Sequence, residues 1–463
     1  MRRENRRRRR WAELTAAAFS LVSLTGCSVV VAGLPSPARP PVTDVGFGDT
    51  GVVGATDEEV DVLARNALTD LETYWSEQFP VVFDTPFEQL AGGYFSVDPG
   101  NADPAVYPRG IGCGSDPGDV EDNAFYCVAP DAPHSDSISY DRTFLADLGA
   151  EFGRFIPALV MAHEFGHAVQ ARVGGPEASI AAETQADCLA GTWTRWVADG
   201  EAEHSVLRTP ELDELLRGYL LLRDPVGTGQ GEQEAHGSYF DRVAAFQEGF
   251  DDGAEACRDN FGPRRVFTQE GFDPRTNEAA TGGNAPYGEL LSIIDTTLPA
   301  VWEGVLGRDF DPPSIEAFDE DPPRCAADAD LDLVYCADEN LIGFDQTDLA
   351  APAYEELGDF AVATAVSLPY GLAVRDQLGL STDDEDAVRS AVCLSGWYTA
   401  EVRAGRGGGP SISPGDVDES VQFLLAFGNE PEVVPEADLT GFQLVDLFRT
   451  GFFAGLDACG LDV

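Results

Sequence analysis

Met161-Ala162-His163-Glu164-Phe165-Gly166-His167-Ala168-Val169 places two of the chain's five histidines four positions apart inside an apolar helical pattern. Residues four apart share one face of a helix, so both imidazoles can reach a single metal ion, with Glu164 one position round beside an open coordination site. A chance H-E-x-x-H is expected roughly once in a few hundred chains of this composition, so the pattern needs support from elsewhere. It comes sixteen positions after His167, in Glu183-Thr184-Gln185-Ala186-Asp187-Cys188-Leu189-Ala190-Gly191, where two carboxylates again stand four apart. Tetrahedral zinc with one open position needs a third protein ligand, and a ligating His needs an acceptor for its other ring nitrogen. Glu183 fits the first role and Asp187 the second, through His163. The rival layout with a third His is excluded, because Gln170 stands where its Gly belongs and no third His follows.

The front of the chain reads as an address rather than as fold. Residues 1–26 carry seven Arg by Arg10, an apolar stretch from Ala16 to Leu24, and then Leu24-Thr25-Gly26-Cys27. This resembles a bacterial lipoprotein signal. The resemblance implies that Cys27 bears the lipid and that the chain sits on the outer face of the cytoplasmic membrane. No later stretch is expected to reach the roughly 18 apolar residues a membrane span needs. Removing residues 1–26 takes away seven Arg and two Glu, so the net charge moves from −52 to −57. Every basic residue is Arg, and a surface this acidic argues against nucleic acid or anionic lipid head groups as partners.

Residues 27–55 are rich in Pro, Gly, Val and Thr and read as a tether. Thr56 with Glu59 gives a capping-box signal, and Val60, Leu63, Ala64, Ala67, Leu68, Leu71 and Trp75 trace a helical stripe. Further helices are expected from about Phe155 to Arg172, Ser179 to Trp196, Glu211 to Leu222, and Gly237 to Ala256. Ser139 and Tyr140 read as a core-flanking strand, with a peptide-accepting edge strand as the alternative. His134 and His204 read as surface residues, and the runs Asp319-Glu320-Asp321 and Asp383-Asp384-Glu385-Asp386 as solvated acidic surface.

Landmarks of the first half recur in residues 286–463. Trp75 and Phe83-Asp84 return as Trp302 and Phe310-Asp311, Cys113 and Tyr126-Cys127 as Cys325 and Tyr335-Cys336, and Cys188-Leu189-Ala190-Gly191 as Cys393-Leu394-Ser395-Gly396. One offset of 205 relates both Gly166 to Gly371 and Cys188 to Cys393. At that offset His163, Glu164, His167, Glu183 and Asp187 become Leu368, Pro369, Leu372, Val388 and Val392, so the second half reads as a degenerate, metal-free copy. A duplicated fold pairs its cysteines the same way twice. That selects Cys113 to Cys127, Cys188 to Cys257, Cys325 to Cys336 and Cys393 to Cys459 from 105 possibilities, in an oxidising compartment.

Residues from about 110 to 260 resemble the bacterial neutral zinc metallopeptidase family. The matching stretches are Cys113-Gly114, Phe125-Tyr126-Cys127, Met161 to His167, Glu183 to Gly191, and His236-Gly237-Ser238 followed by Arg242, Phe246, Gly249-Phe250 and Cys257. The resemblance implies a Zn2+-dependent peptidase with His163, His167 and Glu183 as ligands. Glu164 is then the base that activates water for attack on a peptide bond, and His236 the candidate donor to the developing oxyanion. The expected fold is mainly α with a small β component, an α+β chain. It comprises a zincin-like metallopeptidase domain over 56–262, a linker over 263–285, and the degenerate repeat over 286–463. The expected partner is a peptide or protein substrate. Two alternatives stay open on sequence: a non-catalytic surface binding protein with structural zinc, and a metal-dependent amidase acting on cell-wall peptides.

Overall fold

The computed structural model describes residues 47–319, 322–326, 331–434 and 439–461. The stretch read as a lipoprotein signal, Cys27, Glu320 and Asp321 lie outside the described residues, as does all of the expected tether before Phe47.

A short strand β1 (Val52–Val53) precedes helix α1 (Glu59–Phe83), which buries Val60, Ala64, Ala67, Leu68, Leu71 and Trp75. Its start differs from the expected capping box. Glu58 is the N-cap residue and offers no side-chain cap. Thr56 instead gives its N–H and hydroxyl to Asp61 at 2.7 and 2.9 Å. Asp61 is fully buried and also accepts from Ser96 Oγ and Tyr140 OH at 2.6 and 2.8 Å. A buried carboxylate must collect donors, and that tertiary demand outweighs a local cap.

Strands β2 (Gly93–Val97), β3 (Ala124–Cys127) and β4 (Ser137–Asp141) complete a sheet of order β1-β2-β4-β3. β1, β2 and β4 are parallel, and β3 runs antiparallel at the edge with Tyr126 opposite Ile138. β4 is therefore interior, and the edge strand is β3 rather than the segment holding Ser139 and Tyr140. Five helices follow: α2 (Arg142–Phe152), α3 (Ile156–Val173), α4 (Ser179–Ala198), α5 (Thr209–Leu222) and α6 (Tyr239–Asp259). Gly174 at φ 82° stops α3, its N–H returning to Gln170 O.

The remaining chain presents α7 (Tyr287–Leu306), β5 (Ser314–Phe318), β6 (Leu333–Cys336), β7 (Leu341–Asp345), α8 (Ala351–Glu356), α9 (Asp359–Gln377), α10 (Glu385–Arg403), α11 (Asp416–Phe427) and α12 (Gly441–Ala454). Its sheet has the order β5-β7-β6, again with the antiparallel strand at the edge. By length and composition α7 could cross a membrane, although charged Asp295 and Glu303 interrupt its run. It nonetheless turns Leu290, Ile294, Leu298, Val301 and Trp302 into the core. The molecule is mainly helical with two small sheets, an α+β fold, and one continuous apolar core takes in residues of both halves.

Four disulfides join Cys113 to Cys127, Cys188 to Cys257, Cys325 to Cys336, and Cys393 to Cys459. The second joins α4 to α6 and the fourth joins α10 to the turn just past α12, and each of these helix pairs touches backbone to backbone. A Cβ on Gly249 would stand 1.8 Å from Cys188 O, and one on Gly191 2.1 Å from Phe246 O. In the other half, Gly451 and Gly396 are as tightly covered by Cys393 O and Phe448 O, at 1.7 and 1.9 Å. Gly249→Ala is expected to lower unfolding stability by about 3 kcal/mol or more, because backbone cannot yield as a side chain can. Chemical denaturation measures it, and a loss under about 0.5 kcal/mol would mean that the helices separate freely.

The halves are tied by a reciprocal device. Asp418 of α11 accepts the first N–H groups of α6, Tyr239 N and Phe240 N, at 3.1 and 2.9 Å. Asp213 of α5 accepts those of α12, Gly441 N and Phe442 N, at 3.0 and 2.7 Å. Each half thus supplies the carboxylate that satisfies the orphan donors at a helix start in the other.

Candidate metal centre

Helix α3 carries His163, Glu164 and His167, and α4 carries Glu183 and Asp187. Gly166 lets the two helices close up, since a Cβ there would lie 2.9 Å from Ala186 Cα and from its carbonyl oxygen. The result is a triangle of donor atoms. His163 Nε2 lies 3.2 Å from His167 Nε2 and 3.3 Å from Glu183 Oε2, while His167 Nε2 lies 3.5 Å from Glu183 Oε1. Ligands about 2.0–2.1 Å from a tetrahedral ion stand about 3.3 Å apart, so two imidazole nitrogens and a carboxylate that turns one oxygen to each match the spacing of three donors of such a site.

Other groups fix the rings. His163 Nδ1 meets Asp187 Oδ1 at 2.8 Å, and His167 Nδ1 meets Gln170 Oε1 at 2.9 Å. Gln170 is oriented in turn by donating to Ala182 O at 2.6 Å and to Gln185 Oε1 at 3.1 Å, so its carbonyl oxygen faces the ring. With each Nδ1 proton given to an acceptor, both Nε2 lone pairs and a carboxylate point at one another. Three facing acceptors require a proton or a cation between them. Another group of carboxylates, Asp359, Asp416 and Glu419, also gathers its oxygens within 4.8 Å, but only the first group contains imidazoles.

The electrostatics follow from burial and from these contacts. Burial opposes the charged form of His163, yet Asp187 and Glu183 push its pKa up to about 10. Burial likewise opposes His167, and its contact with Glu183 raises it. Burial would raise Glu183, but the two histidines hold it well below the usual carboxylate range. Burial raises the pKa of Glu164, outweighing the lowering pull of the two histidines and of the Tyr126 N–H. Its Oε2 accepts from Tyr126 N on the edge strand β3 at 2.7 Å.

The residues border a cleft of about 890 Å³, walled by Asp122 to Tyr126, by Leu159 and Val160 of α3, and by Tyr219, Leu222 and Arg223. His236 lines the same cleft. It is exposed, sits three residues before α6 rather than in it, and has Nδ1 3.1 Å from Asp224 Oδ1. His134 and His204 are half-buried rather than on the open surface. The ring of His134 packs 4.9 Å from Phe95, and His204 N donates to Asp70.

Three participants had no assigned role in the sequence reading. Arg242, from α6, donates to both oxygens of Asp187 at 2.7 and 2.9 Å and to Leu222 O. Gln170 could have been found from its spacing, three residues after His167 on one helical face. The Tyr126 main-chain donor could not, because strand order is a non-local property.

Fold and site together define a mainly helical α+β chain with a half-buried cluster of two histidines and one glutamate. No family model matches the chain, and no solved structure matches it. The chain is 31% identical over 238 residues to the uncharacterized protein YpfJ of Escherichia coli (strain K12), covering 46% of this chain and 75% of that one. It belongs to the same family as YpfJ. The uncharacterized protein Rv2575 of Mycobacterium tuberculosis (strain ATCC 25618 / H37Rv) is 26% identical over 175 residues, 33% of this chain and 59% of that protein.

Proposed function

We propose that the chain is a zinc-dependent peptidase working at the outer face of the bacterial cytoplasmic membrane, tethered by a lipid on Cys27. The observation that carries this reading is the triangle of His163, His167 and Glu183 donor atoms with Glu164 beside it but outside the ligand set. A purely structural site has no use for that extra carboxylate and usually closes with four ligands.

His163, His167 and Glu183 would hold the ion, and Asp187 and Gln170 orient the rings. Zinc, when bound, supplies Lewis acidity that acidifies water and polarises a carbonyl. The chain's own residues do the rest. Glu164, as the carboxylate whose basicity burial raises, takes a proton from the attacking water and hands it to the leaving amine. The cleft walls hold the peptide and limit bulk water. His236, with Nδ1 anchored by Asp224, offers Nε2 as a donor to the oxyanion.

The second half is a duplicated copy of the same zincin-like unit. The support is the repeated order of helix and strand, the repeated disulfides and the repeated glycine contacts.

The test is product analysis by mass spectrometry of a mixed peptide pool incubated with residues 28–463, alongside metal content. One zinc per chain and discrete cleavage products are expected. A chain loaded with zinc that leaves the whole pool intact would sink the peptidase reading and favour a surface binding protein or a cell-wall amidase.

A further inference from the structure

The second half has its own cleft, a cavity of about 430 Å³ against the outer face of β6. Its floor is Leu368, Pro369 and Leu372 of α9 with Val388 and Val392 of α10, the five positions aligned with His163, Glu164, His167, Glu183 and Asp187. The size is that of a ligand pocket, and the lining is mostly apolar, with Thr382 and Asp383 among its residues.

Beside this floor runs an open strand edge. Asp345 N donates to Asp332 O at 2.8 Å, which sets the ladder so that Val334 and Cys336 bond to β7 while Leu333 and Tyr335 turn their main-chain groups outward. In the first half the outward N–H of Tyr126 is taken by Glu164. At the position aligned with Glu164 stands Pro369, which has no acceptor side chain, and among the described residues no partner meets Tyr335 N or O.

Part of this edge already carries a peptide, supplied by the chain itself. Glu432 O accepts from Asp332 N and Leu333 N at 2.7 and 3.4 Å, and the next residues, Val433 and Val434, are buried against the cavity. Past them, Tyr335 and Ala337 still line open space. The segment itself is a turn, Val433 N and Val434 N both donating to Glu430 O at 2.9 Å, and its contact shows what the edge accepts at Leu333: a main-chain carbonyl with aliphatic residues beside it.

We propose that the second cleft binds, without cleaving, an extended peptide with aliphatic side chains, added as a further strand on β6. The main-chain groups of Tyr335 demand a partner that donates and accepts at strand spacing, which a peptide provides and an acyl chain does not. Leu, Pro and Val at all five positions aligned with the ligands and base of the first cleft make the site one of capture alone. The inference stands on the second cleft and does not depend on catalysis in the first.

The probe is fluorescein-labelled Gly-Val-Leu-Val-Leu-Gly, titrated by anisotropy against residues 28–463 in EDTA, so that metal-dependent cleavage is absent. Saturable binding is expected, weakened roughly tenfold or more by N-methylating the two leucines, which removes strand hydrogen bonds and keeps the apolar bulk. Leu372→Glu and Val388→Glu, at half-buried positions of the floor, are expected to weaken it as much. Near-UV circular dichroism checks that they fold. The N-methyl comparison on the parent chain needs no variant. Equal binding of the methylated peptide, full binding by both folded variants, no binding at all, or binding of dodecanoate in place of the peptide would each overturn the proposal.

Discussion

Glu164→Ala is expected to keep its zinc and to lose peptide hydrolysis by about 10²–10⁴-fold, the usual contribution of a positioned general base. Its carboxylate is not among the donor atoms of the triangle. It contacts Tyr126 N instead, so its removal leaves His163, His167 and Glu183 with their orienting partners. Glu164→Gln retains an oxygen for Tyr126 N and nearly the same volume, and it is expected to lose as much. Together the two variants separate loss of the base from loss of packing. The checks are zinc stoichiometry by mass spectrometry and kcat/KM on a peptide found in the product screen. A zinc-loaded Glu164→Gln enzyme as active as the parent would remove Glu164 from the mechanism.

Asp187→Ala carries the largest expected loss of stability. Asp187 is fully buried, and it faces His163 on one side and the buried Arg242 guanidinium on the other. Truncation strands Arg242 without its counter-charge, which costs about 3–5 kcal/mol in buried pairs. It also frees the His163 ring, so zinc affinity is expected to fall about 10–100-fold. Chemical denaturation of the zinc-free protein reads the first effect, and chelator competition the second. The double substitution Asp187→Leu with Arg242→Met is expected to recover much of the stability and none of the affinity. Recovery of both would mean that Asp187 does not orient the ligand.

Local pattern carried much of this architecture. The expected helix from Phe155 to Arg172 is Ile156–Val173, and that from Ser179 to Trp196 is Ser179–Ala198, because each has an unbroken apolar face and a clear stop. Doubling the cysteine order gave the four bridges that the structure contains. The pairs His163 with His167 and Glu183 with Asp187 were legible as helical spacing, and the structure brings the two pairs together. What escaped was non-local. Ser139 and Tyr140 are core-flanking as read, but only strand order shows that β3 takes the edge; the pull of Asp61 displaced a cap, and Arg242 reaches Asp187 across 55 positions. Apolar periodicity cannot distinguish a filled core from the open cleft that Leu368, Leu372 and Val392 line.

The exchanged carboxylates, Asp213 to α12 and Asp418 to α6, stand 205 positions apart, the same spacing that relates Gly166 to Gly371 and Cys188 to Cys393. On the duplication reading, the contact between the halves is therefore isologous, the kind that a two-fold axis generates between identical subunits. A chain with one copy of the unit would carry both sides of that contact and would close it as a symmetric dimer. Fusion of such a dimer into one polypeptide frees one subunit from the need to keep its chemistry while its surface still holds the other. The halves would then be an obligate pair, and cutting the chain between them would expose a dimer interface rather than release two domains.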